Sequence, residues 1–198
     1  MKTLYAVIIL SLVLLVAGGF ALVLGQRPDT SRTELIIMDF IIESQSLKAD
    51  GTFPSKYTCD GDRTLSPALR IMNPPAGTQS FALIMDDPDI PETVKQRLGT
   101  DVFVHWVLFN IPAGTREIAE CAKVGTAGAN TAGANVYTGP CPPPEYEPTE
   151  HRYIFRLLAL DTLLELPEGA SKEEVLAAAE GHSLGEAILI GRYDRANR

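Results

Sequence analysis

Positive charge is in short supply in this 198-residue chain: 17 Lys and Arg stand against 25 Asp and Glu, a formal net charge of −8. That balance excludes nucleic acid as a partner, because a phosphate backbone is gripped by a basic face. It equally disfavours a polybasic hold on anionic lipid headgroups. Cysteine is scarce as well. Cys59, Cys121 and Cys141 match no zinc spacing, and no close histidine pair completes one. In an oxidising compartment one pair can be bridged and one thiol left free, but the spacing does not say which pair. A nucleophile setting is also missing. Cys141 is the one candidate, and between Pro140 and Pro142 it has no positive neighbour to activate it.

Charge is absent altogether from Leu4 to Leu24. As a helix at about 1.5 Å per residue this run would be roughly 31 Å long, enough for a bilayer core of about 30 Å. Lys2 precedes it and favours leaving that end in the cytoplasm. The run exceeds the roughly 7–15-residue apolar core of a cleaved signal. Its small cluster Ala17-Gly18-Gly19 lies inside it rather than after it. An uncleaved membrane anchor over residues 1–25 is therefore expected, with a cleaved signal as the alternative; either leaves the domain extracytoplasmic, or periplasmic or secreted after cleavage. Residues 26–34 are polar, carry one proline and read as a linker. Residues 35–198 then form one domain with a substantial core.

Gly, Pro, Asn and Asp punctuate that domain about every ten residues, with short apolar runs between them, which is the pattern of an all-β sandwich. Strands are expected at Leu35–Ile42, Ser80–Met85, Phe103–Asn110 and Tyr153–Leu160. Phe103–Asn110, apolar on both faces, should be central and covered on both sides. Ser171 and Glu174 form a capping box that opens a helix, with Gly181 as its stop. Leu184–Tyr193 reads as a short turn and a last strand. The tandem Thr126–Asn130 and Thr131–Asn135 (TAGAN twice) reads as a surface loop lengthened by duplication. His182, after Gly181, reads as a structural residue.

Chemistry concentrates at strand ends. Alternation puts Phe103, His105, Val107 and Phe109 on one face, and His151, Tyr153 and Phe155 on another. Asp87 stands at the exit of a third strand. Two histidines, an aspartate and a tyrosine at strand ends build a site at one rim of a sandwich. The run Gly139-Pro140-Cys141-Pro142-Pro143-Pro144 is a stiff wall that cannot join a central ladder, and such a wall suits a preformed pocket.

The ordered motifs D-P-D-x-P from Asp87, H-W-V-L-F-N-I-P from His105, G-P-C-P-P from Gly139 and H-R-Y from His151 resemble the signature of the phosphatidylethanolamine-binding protein family. The closer resemblance is to its bacterial and archaeal, Raf-kinase-inhibitor-like branch. Y-T-C-D-G from Tyr57, the nearby Ser66-Pro67 and the late Gly181-His182 fit that branch too. The resemblance covers residues 38–195. It implies antiparallel sheets in a Greek-key arrangement with a peripheral helix near the C-terminus. It also implies an anion pocket built from Asp87, Pro88, His105, Pro142, Pro143, His151 and Tyr153, supported by Asp89, Tyr137 and Gly139. Where the family often has alanine, this chain has Ile90.

The implied ligand is a small phosphate-like or carboxylate anion, such as a phospholipid headgroup. Asp87 is expected to orient and charge His105 or His151, which then donate to ligand oxygens. Neither a cofactor nor a metal nor a catalytic residue belongs to this reading. Its competitors are an inhibitor of an extracytoplasmic protease or signalling protein, and a hydrolase using Asp and His or a two-histidine, one-carboxylate metal site.

Overall fold

The computed structural model describes residues 39–195. The expected anchor and linker lie outside the described residues, as does the first half of the expected strand Leu35–Ile42, whose last two residues fall in a strand. Among the described residues no helix is long and apolar enough to cross a membrane.

Eight strands and two α-helices, with one 3-10 turn at Ser55–Tyr57, make up the described part. They are β1 (Ile41–Glu43), β2 (Leu69–Met72), β3 (Ser80–Asp87), α1 (Glu92–Leu98), β4 (Phe103–Pro112), β5 (Glu117–Ile118), β6 (Thr126–Gly128), β7 (Glu150–Leu160), α2 (Lys172–Ala179) and β8 (Ser183–Asp194). A three-stranded sheet has the order β1-β2-β5, and a five-stranded sheet the order β6-β4-β3-β7-β8. Every pairing within the sheets is antiparallel.

Alternation explains how the sheets meet. On β7, Tyr153, Phe155, Leu157 and Ala159 are fully buried. They pack with Phe81, Leu83 and Met85 of β3 and with Ile42, Leu69, Ile71 and Ile118 of the smaller sheet. Each large apolar side chain so buried contributes about 1.5–3 kcal/mol relative to exposure. The opposite face of the larger sheet is covered by α2, whose Val175 and Ala179 pack with Ala82, Val107, Phe109 and Leu158. Ser171 caps α2 as expected: its hydroxyl accepts from the Glu174 backbone N–H, and the Glu174 carboxylate accepts from the Ser171 N–H.

As expected, β4 is an interior strand buried on both faces, between β3 and the short edge strand β6. Other expectations change. A second helix, α1, exists, with Pro91 at its start and Gly99 in the left-handed conformation at its end. Those are ordinary start and stop signals, but seven residues are too few to show a helical period. The last strand runs without a turn through 184–186, because that stretch pairs with β7. The first TAGAN copy is not a loop. Its Thr126–Gly128 pairs with β4, and a Cβ at Gly128 would overlap the Ala170 carbonyl and the Val107 side chain. Its Asn130 is buried and holds its surroundings through four hydrogen bonds. His182 bonds Asp161 across the turn into β8, a structural role.

Candidate functional site

The site follows from antiparallel pairing. The exit of β3 must lie beside the entrances of β4 and β7, so Asp87 stands opposite Phe103 while Asp86 pairs with Ile154. A β-bulge then sets the histidine. Met85 pairs with Trp106 and Asp86 with Val104, which leaves His105 as the extra residue. Such bulges re-aim side chains next to functional sites. Strict alternation therefore fails here. Val107 and Phe109 turn to the α2 side, whereas His105 packs edge-on to Tyr153 with ring centroids 5.2 Å apart.

Asp87, His105 and His151 are brought together, all at most 5% exposed. The Asp87 carboxylate accepts from His151 Nδ1 at 2.7 Å and, with its other oxygen, from the Asp89 backbone N–H at 2.9 Å. Its distance to His105 Nε2 is 4.0 Å, too long for a hydrogen bond. His105 Nδ1 instead donates to the Thr138 carbonyl at 2.5 Å, and the Thr138 N–H donates back to the His105 carbonyl at 3.0 Å. Burial pushes the His105 pKa down to about 4, against the opposing pull of the Thr138 carbonyl and Asp87. His105 is thus neutral near pH 7, with a lone pair rather than a proton on Nε2. Of the two histidines expected beside Asp87, the one it bonds is His151.

The supporting residues have definite tasks. Asp89 takes both edges of the Arg152 guanidinium at 2.8 Å each and the Arg152 backbone N–H at 2.9 Å. Arg152 holds the Asp89 carboxyl below its ordinary range. The two aspartates of D-P-D therefore grip adjacent residues of β7, Asp87 the ring of His151 and Asp89 the backbone and guanidinium of Arg152. The amide of Asn130 donates to the Thr138 hydroxyl and to the Val136 carbonyl, each at 3.0 Å, which steadies the carbonyl that His105 uses. Cys59 and Cys141 form the disulfide, tying the Y-T-C-D-G loop to the proline wall; Cys121 is free and exposed. Gly139 is required where these two loops meet. A Cβ there would overlap the Tyr57 carbonyl, and its N–H donates to the Arg63 carbonyl at 2.7 Å.

These groups border a cavity of about 630 Å³, within the range of ligand pockets. Of the expected residues, Asp87, His105, His151, Pro143 and Gly139 line it. Pro88, Pro142 and Tyr153 do not. Pro142 is buried behind the wall and Pro88 is half-buried outside the lining. Tyr153 lies beneath both histidine rings, with a buried hydroxyl that has no hydrogen-bond partner among the described residues. Burial raises its pKa well above the phenol range, so it stays protonated. Tyr137 borders a different cavity, and its hydroxyl donates to the Tyr57 carbonyl at 3.2 Å.

Lining residues that motif reading missed include Arg63, Arg97, Thr138 and Tyr146. Arg63 has no pattern of its own and reaches the site only through the loop that the disulfide positions. Arg97 was findable through the Pro91 and Gly99 signals of α1. Ile90, in place of the smaller residue, is buried and takes up space on the lining.

Comparison with known proteins agrees with this architecture. The family description "Phosphatidylethanolamine-binding protein" matches residues 43–194. A UPF0098 protein of Methanothermobacter thermautotrophicus is 44% identical over 161 residues, covering 78% of this chain and 98% of its own. The crystal structure of CT736 from Chlamydia trachomatis, described as a putative homolog in the same family, superposes with a TM-score of 0.71 at 35% identity. It covers 79% of this chain and 97% of its own. Escherichia coli YbcL shares the fold, with a TM-score of 0.67 at 24% identity over 79% of this chain and 99% of its own. The chain belongs to the phosphatidylethanolamine-binding protein family.

Proposed function

We propose that this domain captures a small phosphate-like or carboxylate anion in the pocket at the shared rim of β3, β4 and β7. The observation that carries the reading is His151 Nε2: it is buried, has no hydrogen-bond partner among the described residues, and belongs to a ring that lines the cavity. Leaving such an atom unpaired costs about 1–3 kcal/mol. A ligand oxygen at Nε2 offsets that cost. With Asp87 on Nδ1 and an anionic oxygen on Nε2, both ring nitrogens face acceptors.

Capture is favoured over turnover. Cys141, the one candidate nucleophile, has its sulfur bonded to Cys59. His105, the remaining ring, has its Nδ1 committed to a backbone carbonyl. We place the domain outside the cytoplasm, held or delivered by residues 1–25. The Cys59–Cys141 bridge supports this, because such bridges persist in oxidising compartments.

The test is calorimetric titration of inorganic phosphate into the full chain, repeated with His151→Ala and Asp87→Asn. Saturable binding that weakens at least about tenfold in each variant is expected, since a charge-assisted hydrogen bond contributes about 1.5–3 kcal/mol. A wild-type protein that takes up no phosphate would overturn the proposal.

A further inference from the structure

We infer that the natural ligand carries a second acid group beside the phosphate, and that Arg63 and Arg97 select it. This rests on the anion reading above and deepens it.

The first observation is charge. In a chain of net charge −8, the ionised side chains lining this cavity are Asp87, already engaged by His151, and the two arginines. Among the described residues neither guanidinium has a carboxylate partner. Glu145 and Glu147, which flank the lining residue Tyr146 in sequence, are exposed and contribute nothing to the lining.

The second observation is placement. The Arg63 backbone is held by the Gly139 N–H at 2.7 Å, and its loop is tied to the proline wall by the disulfide and by the Cys59 N–H on the Pro140 carbonyl at 3.0 Å. Its charge is near enough to help keep His105 neutral. Arg97 comes from elsewhere. Thr93, Val94 and Arg97 line the cavity together, as residues one helical turn apart on α1 do.

The third observation is size. A water's share of liquid volume is about 30 Å³, so a phosphate of five heavy atoms fills only part of about 630 Å³. With the phosphate at His151 Nε2, the remaining space holds the rest of the ligand, and the charged residues on the rest of the lining are the exposed Arg63 and Arg97. Guanidinium forks match carboxylates and phosphates. They repel the ammonium of a zwitterion.

O-phosphoserine and O-phosphoethanolamine differ by one carboxylate and form the matched pair for the test, with glycerophosphoserine and glycerophosphoethanolamine as their headgroup diester counterparts. All four are titrated into the full chain alongside inorganic phosphate, then into Arg63→Gln, Arg97→Gln and the double variant. O-phosphoserine is expected to bind at least tenfold more tightly than O-phosphoethanolamine. Each single variant should cut that preference several-fold and the double variant should abolish it, with phosphate affinity changing less. A matching preference within the diester pair assigns the ligand to lipid headgroups; a preference confined to the monoesters assigns it to a soluble phosphorylated acid. Equal affinities for the serine and ethanolamine compounds, or a preference that survives the double variant, overturn the inference while phosphate binding leaves the anion reading standing. Absence of phosphate binding removes the reading beneath it.

Discussion

Acidification from about pH 7 to about pH 4.5 should remove about 2 kcal/mol of folding stability through His105 alone. The folded ring has its pKa pushed down to about 4 by burial, whereas an unfolded histidine titrates near 6.5. A depressed folded value means that the unfolded chain takes up the proton first. The contribution is therefore fully present above about pH 6.5 and is lost as pH falls toward 4. At about 1.4 kcal/mol per pH unit, the full window amounts to about 3 kcal/mol, of which about 2 kcal/mol falls by pH 4.5. The perturbation is His105→Asn, whose amide nitrogen occupies the place of Nδ1 and keeps a donor to the Thr138 carbonyl. The variant leaves a void and should be less stable by about 1–3 kcal/mol at neutral pH. Urea denaturation of both proteins at the two pH values supplies the comparison. Carboxylates such as Asp89, which Arg152 holds below its ordinary range, are present in both proteins and cancel in the difference. The gap between wild type and variant should narrow by about 2 kcal/mol at the lower pH. An unchanged gap would refute the assignment of a buried, neutral His105.

Further outcomes follow from the same contacts. Reduction of Cys59–Cys141, whose residues are 82 positions apart in sequence, should lower stability by about 4 kcal/mol by the loop-entropy relation, read by chemical denaturation with and without reductant. Ser171→Ala removes the N-cap acceptor of α2 and should cost about 1 kcal/mol with no effect on phosphate affinity. Asn130→Ala strips the hydroxyl of Thr138 of its donor and should cost about 1–3 kcal/mol. Unlike the Ser171 change, it should also weaken phosphate binding, because Thr138 itself lines the cavity; thermal melts and titrations of the two variants separate these effects.

Much of this was legible in the residues and some was not, for identifiable reasons. β3 and β7 announce themselves through uninterrupted apolar content or strict alternation, and their ends put Asp87 and His151 at one rim. The capping box of α2 needs only Ser171 and Glu174, two residues three positions apart whose chemistry is local. The face of His105 was misread because a bulge is a property of two strands: it arises from how β3 and β4 are held in register, not from β4 alone. Tyr153 follows the alternation rule correctly and is buried for that reason, beneath the histidines rather than beside the ligand. Asn130 looked like part of a bland repeat, since its four hydrogen bonds are to groups that only the fold gathers. Arg63 was invisible for a like reason, because the Cys59–Cys141 pairing that brings its loop to the proline wall could not be chosen from spacing.

The central claim is that an anion binds by accepting a proton-bearing contact from His151 Nε2 while Asp87 holds Nδ1. Sulfate is the direct probe, because it has phosphate's shape and carries no proton of its own across the neutral range. It should bind the full chain saturably, and His151→Ala should weaken that binding at least about tenfold, the worth of one charge-assisted hydrogen bond. A wild-type protein that takes up no sulfate, or a His151→Ala variant that binds it as tightly as the wild type, would contradict the account.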